Sequence, residues 1–268
     1  MAPILIDTHT HLYSDEFTGD IDAVIARAQH DHVQKFYLPS IDSNSLDAML
    51  ALEKKYPGIC ISMMGLHPCY VKENVNEELE IVEKWIAARD FVAIGEIGLD
   101  FYWDKTFVEQ QRKAFETQME WALAKKWPIV IHTRNAMQET IEMVKPFAKR
   151  GLTGIFHCFS GSAESAKQIV DLGFYLGIGG VITYKNAGLP EALENISLSH
   201  LVLETDAPYL TPVPFRGKRN ESGYLLYIAE KLAEVKQTTL QEVATITTAN
   251  AQKNIRFLSA EPLFLPSQ

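Results

Sequence analysis

Short, almost wholly apolar runs recur along the chain, each followed by a longer stretch in which apolar residues return every three or four positions. The runs are Ile4 to His9, Lys35 to Pro39, Cys60 to His67, Val92 to Leu99, Ile129 to Thr133, Gly154 to Phe159, Phe174 to Gly179 and Leu201 to Asp206. Continuous runs of this kind, without polar alternation, predict eight parallel strands buried on both faces. The stretches between them predict helices at Ile21 to His30, Leu46 to Tyr56, Glu77 to Ala88, Phe107 to Lys126, Met137 to Lys149, Ala163 to Leu172 and Leu189 to Glu194. Two more, Tyr224 to Val235 and Leu240 to Asn254, follow the last strand. Strict βα alternation with this strand count favours a closed α/β barrel. The runner-up is a doubly wound open sheet, which usually carries a glycine-rich phosphate loop after its first strand. Here that position holds Asp7-Thr8-His9-Thr10-His11, without glycine. No linker-like composition or repeat interrupts the pattern, so one domain is expected over residues 1–258, with a poorly ordered tail at 259–268 carrying Pro262 and Pro266.

Composition narrows the setting. A 268-residue chain that is 47% hydrophobic can bury a large core, and no apolar run approaches the ~20 residues of a membrane span. Met1-Ala2-Pro3 leads directly into the first strand, and Cys60, Cys69 and Cys158 lack disulfide or zinc-ribbon spacing, so a soluble cytoplasmic protein with reduced thiols is expected. The formal net charge of −9 argues against a broad basic footprint for duplex nucleic acid. Any phosphate contact must therefore be local.

The candidate chemistry lies where the runs end. Catalytic groups of a barrel come from the carboxyl ends of several strands. The first run ends in His9 and His11, the third in His67, the fourth in Glu96 and Asp100, the fifth in His132, the sixth in His157 and the eighth in Asp206. Buried imidazoles need partners, and several converging on one mouth are hard to satisfy without a cation. Nitrogen and carboxylate donors suit a borderline divalent ion. The donors fall into two sets, His9, His11 and Asp206 from the first and last strands and His132 with His157 from strands five and six. Glu96 lies between them, placed to bridge two ions ~3.5 to 4 Å apart that share one substrate and one water.

Seven motifs, in this order, resemble the TatD family of metal-dependent deoxyribonucleases within the wider amidohydrolase-like barrels. They are Asp7-Thr8-His9-Thr10-His11, Gly65-Leu66-His67-Pro68, Gly95-Glu96-Ile97-Gly98-Leu99-Asp100-Phe101, Ile131-His132-Thr133-Arg134, His157-Cys158-Phe159-Ser160-Gly161, Glu204-Thr205-Asp206-Ala207-Pro208-Tyr209-Leu210 and Arg216-Gly217-Lys218-Arg219-Asn220-Glu221. The resemblance implies a TIM barrel of the metallo-dependent hydrolase type. It further implies divalent-metal ligands at His9, His11, Glu96, His132, His157 and Asp206, and hydrolysis of phosphodiester bonds in DNA, often from the 3′ end. Asn135 and Ser222 stand where members commonly carry an acidic residue and a proline.

Roles follow from position. Asp206 can be a ligand alone, or a ligand and general base, with Glu96 as the second catalytic carboxylate. Glu204 reads equally as a group that orients a ligand from behind and as a core carboxylate paired with a strand neighbour. His67 is expected at a substrate phosphate, as are Arg216, Lys218 and Arg219, a short basic loop in an acidic chain, and more weakly Arg134. Tyr102 and Trp103 can stack a terminal base. Gly177-Ile178-Gly179-Gly180 reads as close packing at a strand end. The expected cofactors are two divalent ions, Mg, Zn or Mn, and the expected partner is DNA, preferably single strands or 3′ ends, met by a monomer or small homo-oligomer. The competing readings are a hydrolase of small esters, amides or lactones, a D-aminoacyl-tRNA deacylase on the same barrel, and a binding protein that has kept the fold. The complete donor set argues against the last.

Overall fold

A computed structural model describes residues 4–254. In chain order its elements are β1 (Leu5–Asp7), α1 (Ile21–His30), β2 (Val33–Pro39), α2 (Leu46–Lys55), β3 (Cys60–Met63), α3 (Val75–Ala88), β4 (Ile94–Asp100), α4 (Val108–Lys125) and β5 (Ile129–Arg134). They continue with α5 (Met137–Ala148), β6 (Gly154–Phe156), α6 (Ala163–Asp171), β7 (Tyr175–Ile178), α7 (Leu189–Leu193), β8 (Leu201–Leu203), α8 (Leu225–Val235) and α9 (Leu240–Asn254). Each predicted strand and helix has its counterpart; most strands are shorter than the apolar runs, while β2 begins two residues before its run and β5 ends one residue after. The tail expected at 259–268 lies outside the described residues.

The described residues cluster into two compact units, one of 4–38 with 155–254 and one of 39–154. In the first, β1 pairs in parallel with β2, Asp7 opposite Phe36. The backbone N–H of Thr8 donates to Leu203 O at 3.0 Å, which joins the end of β1 to β8. β6, β7 and β8 pair in parallel in sequence order, with Phe156 opposite Leu176 and Gly177 opposite Val202. α8 buries Leu225, Ile228, Ala229, Leu232 and Ala233. That spacing is one face of a 3.6-residue period, so the helix forms by covering apolar surface.

In the second unit β4 and β5 pair in parallel over Gly98 opposite His132 and Asp100 opposite Arg134. Gly98 permits this register: it sits at φ +143°, and a Cβ there would lie 2.0 Å from His132 O. All seven residues of β4 are buried, including Glu96 and Asp100. A strand carrying two buried carboxylates must supply them with partners.

Candidate metal centre

In the first unit β1 stops at Asp7, so His9 and His11 stand in the turn beyond the strand. Asp7 fixes that turn. Its buried carboxylate accepts hydrogen bonds from the Thr205 N–H at 2.9 Å, the Thr205 hydroxyl at 2.6 Å, the Ser222 hydroxyl at 2.6 Å and the His9 N–H at 3.4 Å. Burial nevertheless pushes its pKa up to about 7 against the pull of these donors.

Asp206, three residues past β8, adopts φ +57°. This left-handed backbone is uncommon outside glycine but better tolerated by Asp than by most residues. Its N–H donates to His9 O at 2.9 Å, which sets its side chain beside the two imidazoles. Asp206 Oδ1 lies 3.8 Å from His9 Nε2 and 3.5 Å from His11 Nε2. These separations exceed a good hydrogen bond. They match the ~3.4 Å between two donors that each reach ~2.1 Å to one tetrahedral ion. The three donor atoms all lie within 4.8 Å of one another. The residues therefore fit a divalent cation. Asp206 has its pKa lowered although burial opposes this, because the rings of His11, His157 and His9 lie close by. It is an ionised donor at neutral pH.

The rings themselves are held from behind, as metal-binding imidazoles usually are. His11 Nδ1 is 2.9 Å from the Tyr13 hydroxyl. The His157 ring stacks on His9 with centroids 3.9 Å apart. His157 Nδ1 lies 3.4 Å from Glu204 Oε1, which also accepts the Cys158 N–H. Glu204 therefore lies beside His157, within reach of its ring nitrogen. The glycine run acts as close packing: a Cβ on Gly177 would lie 2.2 Å from Glu204 Oε2.

In the second unit Glu96 and His132 meet at 3.0 Å (Oε1 to Nδ1), and His67 Nε2 comes to 3.2 Å from the same oxygen. His67, expected at a substrate phosphate, is thus also a neighbour of Glu96. Its Nδ1 accepts the Cys69 N–H at 3.0 Å, and His67, Cys69 and His132 offer a second trio of donors within 4.8 Å of one another. Asp100, named at the end of the fourth run but given no role there, holds His132 Nε2 at 2.9 Å through its Oδ2. The Asp100 carboxyl lies well below its ordinary range: burial raises it, but His132 and the N–H groups of Trp103 and Tyr102 more than offset that. The available signal was its place four residues after Glu96, on the same strand face. Arg134, two residues beyond His132 at the end of β5, is exposed and lies over the Tyr102 ring at 3.9 Å.

The basic loop divides. Arg219, expected at a phosphate, makes a bidentate pair with Asp20, both contacts 2.8 Å. A phosphate would have to displace that carboxylate. Arg216 lies over the Tyr184 ring at 3.9 Å and Lys218 near the Phe215 ring at 6.0 Å, and among the described residues neither has a carboxylate partner. Asn220 pins the loop by donating to Thr205 O at 2.8 Å and Tyr209 O at 2.6 Å, on the segment that bears Asp206.

The model of the family described as TatD related DNase matches residues 6–256. The chain belongs to the TatD family. It is 38% identical to the uncharacterized metal-dependent hydrolase YabD of Bacillus subtilis over 94% of this chain and 99% of that protein. It is 31% identical to the 3′-5′ ssDNA/RNA exonuclease TatD of Edwardsiella piscicida, over 94% and 99%. Its structure resembles that of YjjV, a TatD homologue from Escherichia coli, with a TM-score of 0.88 and 28% identity over 94% and 97% of the two chains. This likeness and the parallel βα order make the fold a TIM barrel of the metallo-dependent hydrolase type. As a TatD-family member the protein is a metal-dependent hydrolase. Among the described residues no helix is long and apolar enough to cross a membrane.

Proposed function

We propose that this TatD-family hydrolase is a deoxyribonuclease that removes nucleotides from the 3′ ends of single strands. The observation that carries this reading is the loop tied by Asn220 to the Asp206 segment, which presents Arg216 and Lys218 without carboxylate partners among the described residues, in a chain of net charge −9. A small neutral ester has no use for two such cations; a phosphodiester does. The reading also agrees with the name of the Edwardsiella relative.

His9, His11, His157 and Asp206 of the first unit would hold one divalent ion and Glu96 and His132 of the second another, each Mg, Zn or Mn. Such ions acidify water and neutralise charge on phosphoryl oxygens. Tyr13, Glu204 and Asp100 hold the rings of His11, His157 and His132 in register for their ligand roles. Asp206 and Glu96 are the carboxylates that would take a proton from an attacking water. Arg216, Lys218 and Arg134 contact phosphates, and His67 approaches the scissile group beside Glu96. Arg219 holds the loop through Asp20 instead of meeting substrate directly.

The test is turnover of single-stranded DNA, duplex DNA, RNA, aryl esters and a D-aminoacyl-tRNA, each with and without added divalent ion. Metal-dependent cleavage fastest on single-stranded DNA is expected. Turnover of the esters or the aminoacyl bond without DNA cleavage would overturn the reading.

A further inference from the structure

The segment after β4 places two large aromatic side chains in solvent, where burial would be the ordinary outcome. Trp103 is 67% exposed and Tyr102 is 50% exposed. Their rings meet edge to face, centroids 4.9 Å apart at 84°, so the pair holds its shape without being covered. Arg134, at the end of the neighbouring strand β5, lies 3.9 Å from the Tyr102 centroid and 5.1 Å from that of Trp103. Among the described residues this guanidinium has no carboxylate partner, so its charge is free to meet an anion.

The patch is also wired to the candidate metal centre. Asp100 Oδ1 accepts the N–H of Tyr102 at 2.9 Å and of Trp103 at 3.0 Å. The other oxygen of the same carboxylate holds His132 Nε2 at 2.9 Å. The Phe101 N–H donates to Arg134 O at 2.9 Å, closing the segment onto β5. One carboxylate thus fixes both the backbone that carries the two aromatic residues and the imidazole of His132.

We propose that Tyr102, Trp103 and Arg134 form a stacking platform for a terminal base of single-stranded DNA, with Arg134 meeting the adjoining phosphate. An exposed indole offers a π-face that any base can cover, and a guanidinium already ordered on an aromatic ring loses little freedom on meeting a phosphate. The combination of flat apolar face and unpaired cation matches a nucleotide, whose base is flat and whose phosphate is anionic. The inference rests on the nuclease reading for its choice of occupant, but it concerns binding and can be tested without catalysis.

The experiment is fluorescence anisotropy of the full-length protein with a labelled, phosphorothioate-linked thymidine hexamer that resists hydrolysis. A second hexamer lacks the two 3′-terminal bases but keeps every phosphate, and a third has ribose in place of deoxyribose. Wild type is expected to bind the complete DNA about tenfold more tightly than the abasic form. Trp103→Ala should weaken binding of the complete strand by a similar factor and abolish the discrimination, whereas Trp103→Phe should retain it. Equal wild-type affinity for the complete and abasic strands, or discrimination undiminished in Trp103→Ala, overturns the platform. Binding of the ribose strand alone overturns the assignment to DNA. Cleavage of DNA without base-dependent binding would sink the platform and leave the nuclease reading standing; base-dependent binding without cleavage would do the reverse.

Discussion

Replacing Gly177 by Ala isolates the packing that holds Glu204 behind His157. The three nearest atoms to a methyl at this position all belong to Glu204: Oε2 at 2.2 Å, Cδ at 2.7 Å and Oε1 at 3.1 Å. Ordinary contact needs roughly 3.5 to 4.0 Å, so the carboxylate must move by more than 1 Å by that comparison. Glu204 is fully buried, with Oε1 engaged by the Cys158 N–H and lying 3.4 Å from His157 Nδ1. Overpacking of this kind costs about 1 to 3 kcal/mol. Misplacing the group behind a metal-binding imidazole typically weakens metal affinity about 10- to 100-fold. Gly177 has no positive φ, so alanine carries no backbone penalty there. In a Glu204→Ala background the obstacle is gone, and Gly177→Ala should become neutral, or stabilising by about 0.4 to 1 kcal/mol through reduced freedom of the unfolded chain. Urea denaturation of the four proteins gives the coupling energy, and calorimetric titration with Zn or Mn gives the affinities. Additive stability changes would refute the contact as the cause. Unchanged metal affinity in Gly177→Ala would refute the role of Glu204 in placing His157.

The basic loop predicts a split between neighbours. Arg216→Ala should lower kcat/KM on an oligonucleotide about 10- to 100-fold while leaving a neutral aryl ester nearly unchanged. Arg219→Ala should instead lower stability by up to about 1 kcal/mol, because it breaks a partly exposed pair with Asp20. A larger DNA-selective loss in Arg219→Ala than in Arg216→Ala would reverse their roles. Asp7 predicts a pH dependence whose sign is fixed by its raised value. The folded protein holds this proton up to about pH 7, against 3.8 for an ordinary Asp, so the native state binds more protons than the unfolded state in that window. The stability advantage of wild type over Asp7→Asn, measured with chelator present, should therefore shrink as pH rises from about 4 to 7. A difference that is flat or grows with pH contradicts this.

The elements were legible because buried parallel strands and amphipathic helices leave different periods in the sequence, and β5 and α1 lie almost where those periods put them. The strand ends were less so. The runs to His9 and Asp206 suggested strand throughout, whereas β1 and β8 stop at Asp7 and Leu203 and the site residues follow in turns. Spacing alone does not reveal a left-handed residue such as Asp206, which the hydrogen bond to His9 O stabilises. Partnerships across long separations were the least legible. Asp100 reaches His132 because β4 and β5 pair in one register, and Arg219 is drawn to Asp20, 199 residues away. Ser222, which stands where the family commonly has proline, gives Asp7 a hydrogen bond that proline lacks, and Asn135 takes φ +53°, which asparagine tolerates better than most residues. A basic loop can be read from composition; which of its cations already has a partner cannot.

Whether divalent ions held through His9, His11 and Asp206 drive hydrolysis of DNA from a strand end is decided by digesting a 5′-labelled single strand with wild-type protein that has been stripped by chelator and then reloaded with Mg, Mn or Zn, beside Asp206→Ala treated in the same way. The stripped protein should not cleave, reloading should give a ladder shortening steadily from the 3′ end, and the folded variant should show less than about one hundredth of that rate. Equal cleavage by stripped and reloaded protein, internal cuts in place of a ladder, or full activity in Asp206→Ala would contradict hydrolysis driven by those ions from a strand end.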